Sequence, residues 1–297
     1  MAHAQPIIDT AKTVPDRARN RTHEPLTALL QRGRALVMGI LNVTPDSFSD
    51  GGQFFDPARA IAHAKEMAAQ GADILDIGAE STRPYGGQQP VSADDELARL
   101  KEVVPVVAEF GVPVSIDTIK AKVAEWALDH GATIVNDVWG LQQDPDMARL
   151  VAERGVPMIA MHNRDRVDEK IDIVADVIAF FERTLEIANR AGIARDQIVL
   201  DPGIGFGKTP EQSILCLARL EAFKRFGLPL LVGASRKRFI NTVTLAPPDR
   251  RIGGSLASHL YAVAHGAAIV RVHDVAETVQ ALRVTEAIEA GAKEDSK

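Results

Sequence analysis

The chain lacks the features that mark several large classes of protein. It has one cysteine, Cys216, so no disulfide can form within the chain, and we expect a reducing compartment. No apolar run approaches the roughly 18 residues that a membrane-spanning helix needs. The net charge of −6 opposes a nucleic-acid-binding surface. Because the first 30 residues also have no hydrophobic signal core, we expect a cytoplasmic protein with neither nucleic-acid nor membrane partners.

The composition is otherwise that of an ordinary globular protein. With 46% hydrophobic residues in 297, the chain can bury a large core. Residues 1–33 are polar, contain Pro6, Pro15 and Pro25, and show no sustained periodicity. We therefore predict a loosely ordered N-terminal extension over 1–33 and a single folded domain over 34–297.

Short apolar runs alternate with longer segments of helical periodicity. The runs lie near 35–41, 73–77, 113–117, 133–138, 156–161, 197–201, 229–233 and 268–272. Between them, apolar residues in 57–70, 118–130 and 174–191 recur at three- and four-residue spacing, which indicates helices. Eight strand–helix units in a chain of this size predict an α/β fold of the (β/α)8 TIM-barrel type. A doubly wound open sheet is the alternative, but it would normally carry a glycine-rich turn after its first strand.

Polar side chains follow the predicted strands, where active sites of this barrel gather. Asp117, Asn136 and Asp201 end strands 3, 4 and 6. Ionised carboxylates only accept hydrogen bonds, so the three could bind a flat heterocycle that carries N–H donors. Each alone could instead cap a helix, since Asp and Asn favour that position.

A second group at the same rim is cationic. Residues 236–238, after strand 7, read Arg-Lys-Arg, and Arg271 and His273 end strand 8. Loops after strands 7 and 8 commonly bind phosphate in this fold, and Ser235 before the next helix suits that role. Asn42 ends the neighbouring strand 1 and could complete a magnesium–diphosphate site. The alternative is a solvated run of charges.

A long polar loop follows strand 1. Residues 42–52 read NVTPDSFSDGG, a stretch rich in turn-forming residues. Loops of this length in compact domains are usually functional or disordered. Because Phe48 lies in the middle of it, we interpret the loop as a lid over a ligand rather than as a solvated surface loop.

Seven segments in fixed order resemble the dihydropteroate synthase family. They are MGILNVTPDSFSDGG (38–52), GAESTRP (78–84), SIDT (115–118), ND (136–137), DPGIGFGK (201–208), SRKRF (235–239) and RVH (271–273). The resemblance covers residues 36 to about 290. It implies a transferase of folate biosynthesis that joins (7,8-dihydropterin-6-yl)methyl diphosphate to 4-aminobenzoate and releases diphosphate. It also implies Mg²⁺, a homodimer, and competition by sulfonamides for the aminobenzoate position.

The same resemblance implies roles for individual residues. It assigns catalysis to Asp117, Asp201 and Lys237, which with Asn136 would bind the pterin ring. Asn42 would bind magnesium. The remaining substrate-binding assignments are Arg271 and His273 at the diphosphate, Thr82 and Arg83 near the diphosphate and acceptor, Phe48 and Pro84 beside the aminobenzoate, and Val138, Met161, Phe206, Gly233 and Ser235 elsewhere in the site. Whether His162, next to the rim, takes part is left open.

Three other functions compete with this interpretation. A pterin-dependent methyltransferase domain would share the barrel and the three acidic and amide residues, but would not need the lid or the cations. A non-catalytic pterin-binding paralogue would not need Asn42, Lys237, Arg271 and His273. A Schiff-base aldolase would use Lys237, whose two flanking arginines could lower its pKa.

Overall fold

The strands form one closed barrel. The computed structural model describes residues 26–44, 56–80 and 91–294. The strands in these ranges are Leu36–Asn42 (β1), Ile74–Gly78 (β2), Val114–Asp117 (β3), Ile134–Asp137 (β4), Met158–Met161 (β5), Ile198–Asp201 (β6), Leu230–Val232 (β7) and Ala267–Val272 (β8). Each strand pairs in parallel with its sequence neighbours, and β8 pairs with β1. The predicted (β/α)8 barrel is confirmed, and the open sheet is excluded.

Helices connect the strands and cover the outside of the barrel. They are Leu26–Leu30 (α1), Pro57–Ala69 (α2), Ala93–Leu100 (α3), Val104–Val107 (α4), Ala121–Asp129 (α5), Pro145–Arg154 (α6), Ile173–Ala191 (α7), Pro210–Ala218 (α8), Arg238–Val243 (α9), Ile252–Ala264 (α10) and Val275–Glu294 (α11). Shorter 3-10 helices occupy Ala108–Phe110, Arg195–Gln197, Leu220–Phe226 and Pro248–Arg250. Across the described ranges, no helix combines the length and the apolar character needed to cross a bilayer.

The helices begin and end where the sequence offers caps. The Asp144 and Asp172 carboxylates accept hydrogen bonds from the first backbone N–H groups of α6 and α7. Gly155 and Gly192 end the same helices with φ of +60° and +86°. L-residues with side chains rarely adopt this left-handed conformation, so glycine stops each helix at low cost.

The amino-terminal end of the barrel is closed. Asp73 precedes β2 and accepts two hydrogen bonds from Arg34, at 2.6 and 2.9 Å, and one from the Val37 backbone. Helix α1 lies at the end of the predicted extension 1–33, and it buries two leucines against the barrel interior. That cluster consists of Leu26, Leu29, Leu36, Met38, Ile74, Ile134, Ile159, Val199, Leu231 and Ile269. Apolar side chains and the Arg34–Asp73 ion pair thus close this end of the barrel, and the carboxyl ends of the strands are where active sites of this fold form.

Candidate active site

The strand register places the predicted acidic and amide residues side by side. Asp117 at the end of β3 pairs in register with Asn136 of β4, and Met161 of β5 pairs with Asp201 of β6. All four side chains are buried. The barrel therefore brings these residues from neighbouring strands to one rim, as predicted.

Arg271 lies at the centre of a buried charge cluster. It extends from β8 across the barrel and donates from Nε to Asp76 Oδ2 (2.6 Å) and from Nη2 to Asp117 Oδ2 (2.7 Å). The Asn136 amide also donates to Asp76 Oδ2, at 3.1 Å. We call Asp76, Asp117, Asn136 and Arg271 the acid–arginine cluster. It joins the acidic and the cationic groups, which the sequence suggested were separate, because Arg271, predicted at the diphosphate, pairs with Asp76 and Asp117.

Asp76 is a functional candidate that the sequence reasoning missed. Its side chain is fully buried in β2 and contacts both Arg271 and Asn136. The signal was present, since a charge in the middle of an apolar parallel strand must find a partner. Asp73, three residues earlier, lies at the opposite end of the barrel, where it accepts hydrogen bonds from Arg34 and from the Val37 backbone.

Two carboxylate oxygens of the cluster lack partners in the described part of the chain. These are Asp76 Oδ1 and Asp117 Oδ1, and both are buried. An unpaired buried acceptor costs about 1–3 kcal/mol. A ligand that presents N–H donors to these strands would recover that free energy.

Beside the cluster lies an apolar wall with a lysine against it. Val138, Met161 and Phe206 pack together. The Lys237 ammonium lies 3.9 Å from the centre of the Phe206 ring, a cation–π distance. Asp201 completes this side, its Oδ1 accepting from the Gly203 backbone at 2.7 Å. Apolar side chains beside a few convergent polar groups are typical of ligand-binding sites.

Burial shifts the ionisation of the three residues predicted to be catalytic. Desolvation raises the pKa of Asp117 to about 7, although the positive charge of Arg271 opposes the rise. Desolvation likewise raises the pKa of Asp201 to about 6. Burial and the charge of Arg271 lower the pKa of Lys237 to about 7. Perturbed groups gathered in one place are typical of functional sites.

The residues after β7 and β8 are less cationic than their sequence suggests. Arg236 forms a two-point ion pair with Asp274, and its backbone adopts φ of +58°. His273 donates from its backbone N–H to Ser235 Oγ at 3.2 Å, and its Nδ1 lies 3.0 Å from the same oxygen. Burial and Arg271 lower the pKa of His273 to about 3, so its ring is neutral near pH 7. Among these described residues, Arg271 and Lys237 are the cations that lie beside Asp117 and Asp201.

The remaining predicted residues divide into two groups. Asn42 ends β1, and Gly233 follows β7, where a Cβ would lie 3.7 Å from Arg271 Cβ, an ordinary van der Waals contact. Phe48, Thr82, Arg83 and Pro84 lie outside the described residues. Their assignments stay predictions from the sequence.

Known proteins resemble the chain over most of its length. Residues 38–273 match the pterin binding enzyme family. The dihydropteroate synthase of Clostridium beijerinckii is 46% identical over 86% of this chain and 94% of its own. A Clostridium difficile dihydropteroate synthase structure, determined in the presence of pteroic acid, is 47% identical with a TM-score of 0.82, over 86% of this chain and 97% of that one. The Yersinia pestis dihydropteroate synthase in a sulfonamide drug complex is 42% identical with a TM-score of 0.80, over 87% and 95%.

The fold, the residues of the site and the similarity to known proteins all indicate the same family. The barrel carries a buried acid–arginine cluster and an apolar wall at its carboxyl rim, and both lie within residues 38–273, which match the family. The chain belongs to the pterin binding enzyme family and, within it, to the dihydropteroate synthases, which are transferases.

Proposed function

We propose that the described site performs the dihydropteroate synthase reaction with a specific division of roles. The C–O bond between the pterin methylene carbon and diphosphate breaks, and diphosphate leaves with the electron pair. The amine of 4-aminobenzoate forms the new C–N bond and loses a proton. The observation that carries the proposal is the acid–arginine cluster, with its unpaired acceptors beside an apolar wall.

The pterin ring would lie between the cluster and the apolar wall. Asp117 and Asp201 would accept hydrogen bonds from ring N–H groups, and Asn136 would supply an amide. Val138, Met161 and Phe206 would pack against the ring, which explains why three apolar side chains meet at a polar rim. Gly233, which lies beside Arg271, would contact the ring edge.

Charges near the methylene carbon would promote departure of diphosphate. As the C–O bond breaks, the pterin becomes cationic and the leaving group gains negative charge. The Asp117 carboxylate would stabilise the cation, while Lys237 and Arg271 would offset the charge of the leaving group. The neutral His273 ring, oriented by Ser235, would contribute a hydrogen bond rather than a charge.

The residues fit a magnesium ion that is held mainly by substrate. No group of three His, Cys, Asp or Glu side chains able to hold a metal occurs in the described ranges. Mg²⁺ commonly uses one or two protein oxygens together with phosphate and water. The Asn42 amide, at the end of β1, would supply one such oxygen. A bound Mg²⁺ would neutralise charge on the diphosphate.

The acceptor side of the site rests on the sequence. Phe48 and Pro84 would flank 4-aminobenzoate, and Thr82 and Arg83 would lie near both substrates. Sulfonamides would compete for the same position. If Phe48 contacts sulfonamides more closely than it contacts 4-aminobenzoate, Phe48→Leu should weaken sulfonamide inhibition more than it weakens the use of 4-aminobenzoate.

Asp117→Asn tests the proposed chemistry. The substitution keeps the side-chain shape but removes the charge that would stabilise the pterin cation. We expect a folded protein with turnover lost, measured as aminobenzoate-dependent diphosphate release. Asp129→Asn, which alters an ion pair with Arg154 on the outer helices, serves as the control and should retain turnover. Near-normal turnover by Asp117→Asn would remove Asp117 from the mechanism.

We also propose a cytoplasmic homodimer formed through the outer helices. Large apolar side chains are exposed on α9 to α11 and the loop after α9, and a second copy that packed on these elements would remove them from water. They are Val243, Leu245, Tyr261, Val284 and Ile288. Light scattering coupled to size-exclusion chromatography should give twice the chain mass, and Ile288→Glu should reduce it.

A further inference from the structure

A fully buried lysine holds together the loop that follows β6. The Lys208 ammonium contacts the carbonyl oxygens of Gly203 (2.9 Å) and Phe206 (3.1 Å) and the Nδ1 atom of His162 (2.7 Å). Only 1% of the lysine is exposed. A buried cation is tolerated only where its donors are satisfied, and here three acceptors converge on the three N–H bonds of the ammonium.

His162 connects this lysine to an acidic residue at the outer side of the barrel. Its Nε2 atom lies 3.0 Å from Asp176 Oδ2. Asp176 also pairs with Arg164 at 2.8 Å. An ammonium can only donate, so Nδ1 of His162 must accept and Nε2 must carry the proton toward Asp176. Burial lowers the pKa of His162 to about 4, which keeps the ring neutral and this direction fixed near pH 7.

The loop held by Lys208 contributes to the part of the site proposed to bind the pterin. We call that part, formed by Phe206, Asp201 and Lys237, the pterin half. Phe206 presents its ring to the Lys237 ammonium, and the Gly203 backbone N–H donates to the Asp201 carboxylate. The loop also packs tightly on the segment after β5. A Cβ at Gly207 would lie 2.5 Å from Arg164 Cβ, and a Cβ at Gly203 would overlap the His162 carbonyl oxygen. Displacement of His162 or Lys208 would therefore move the Phe206 ring and the donor to Asp201.

We infer that His162 and Lys208 are positioning residues that set the geometry of the pterin half of the site without touching substrate. The inference rests on the proposed function, because it assumes that Phe206, Asp201 and Lys237 bind the pterin. It resolves the role of His162, which the sequence left open, in favour of orienting a loop.

Paired substitutions at His162 test the inference. His162→Leu removes both the acceptor for Lys208 and the donor to Asp176, whereas His162→Gln retains one of each. We expect His162→Leu to raise KM for the dihydropterin-methyl diphosphate and the Kd for pterin-6-carboxylate about tenfold or more, the scale of one hydrogen bond to a charged group. KM for 4-aminobenzoate should change less than about twofold, and His162→Gln should recover most of the loss. His130→Leu, at the end of an outer helix, is the control and should resemble the wild type.

Several outcomes separate this inference from the proposed function. Lack of aminobenzoate-dependent diphosphate release by the wild-type protein would refute the function itself. Equal losses for both substrates, or no recovery by His162→Gln, would show a merely structural role and overturn the inference. If His162→Leu does not fold, Asp176→Ala is the alternative, since it removes the hydrogen-bond partner of His162 Nε2 at a partly exposed position. It should then raise Kd for pterin-6-carboxylate selectively, and an unchanged Kd would overturn the inference.

Discussion

Asp76→Ala should be among the most damaging single substitutions in this protein, although Asp76 was not among the residues predicted from the sequence. Its carboxylate is fully buried and accepts from Arg271 at 2.6 Å and from Asn136 at 3.1 Å. Removal leaves the Arg271 charge buried with Asp117 as its remaining ion-pair partner. Breaking a buried ion pair from one side typically costs about 3–5 kcal/mol. For a domain of this size, such a loss lowers the melting temperature by roughly 6–20 °C.

Urea unfolding followed by circular dichroism measures this loss. Asp94→Ala is the matched control, since Asp94 also contacts a cation, Lys122, at 2.7 Å but on the exposed surface. We expect the control to unfold like the wild type. Asp76→Asn adds a second readout. Because the charge of Asp76 raises the pKa of Asp117, its removal should move the acidic limb of the kcat/KM profile to lower pH. A loss of stability below about 1 kcal/mol, with an unmoved acidic limb, would refute the account of the cluster.

Three further predictions concern pH and backbone strain. The kcat/KM profile should be bell-shaped around pH 7, because Asp117 loses its charge below its pKa of about 7 and Lys237 loses its charge above its pKa of about 7. Lys237→Arg should abolish the basic limb, and an unchanged limb would show that Lys237 does not cause it. Burial lowers the pKa of His259 from 6.5 to about 4, so the unfolded chain binds more protons than the native state between these pH values. The free energy of unfolding should therefore be about 2 kcal/mol lower at pH 5 than at pH 8. His259→Leu should remove that loss, measured as the difference between the urea midpoints at pH 8 and pH 5. The same difference in the variant and the wild-type protein would contradict this role of His259. Gly203→Ala should reduce stability more than Gly192→Ala, because both have positive φ but only Gly203 has a neighbouring oxygen in the way; equal unfolding midpoints would contradict that packing.

The fold could be predicted because its signals are local. Each strand is a short apolar run, and the helices between them carry their own periodicity and caps, as α6 and α7 show at both ends. Once the barrel is predicted, its carboxyl rim follows, and with it the proximity of Asp117 to Asn136. None of these steps requires knowledge of which residues meet across the barrel.

The pairings across the barrel could not be predicted. Arg271 contacts Asp76 and Asp117, which are 195 and 154 residues away in sequence. The sequence places Arg271 at the end of strand 8, but the direction of its side chain depends on the width of the closed barrel. The contact between Lys208 and His162 is of the same kind, since it joins two loops whose path is set by tertiary packing.

Diphosphate release from (7,8-dihydropterin-6-yl)methyl diphosphate in the presence of Mg²⁺, with and without 4-aminobenzoate, tests the central claim most directly. We expect release to depend on 4-aminobenzoate, to be inhibited by a sulfonamide in competition with it, and to be lost in Asp117→Asn. Pterin binding without release would contradict the proposed chemistry and favour a binding protein or a methyltransferase domain. Absence of pterin binding would show that the acid–arginine cluster and the apolar wall do not form the site.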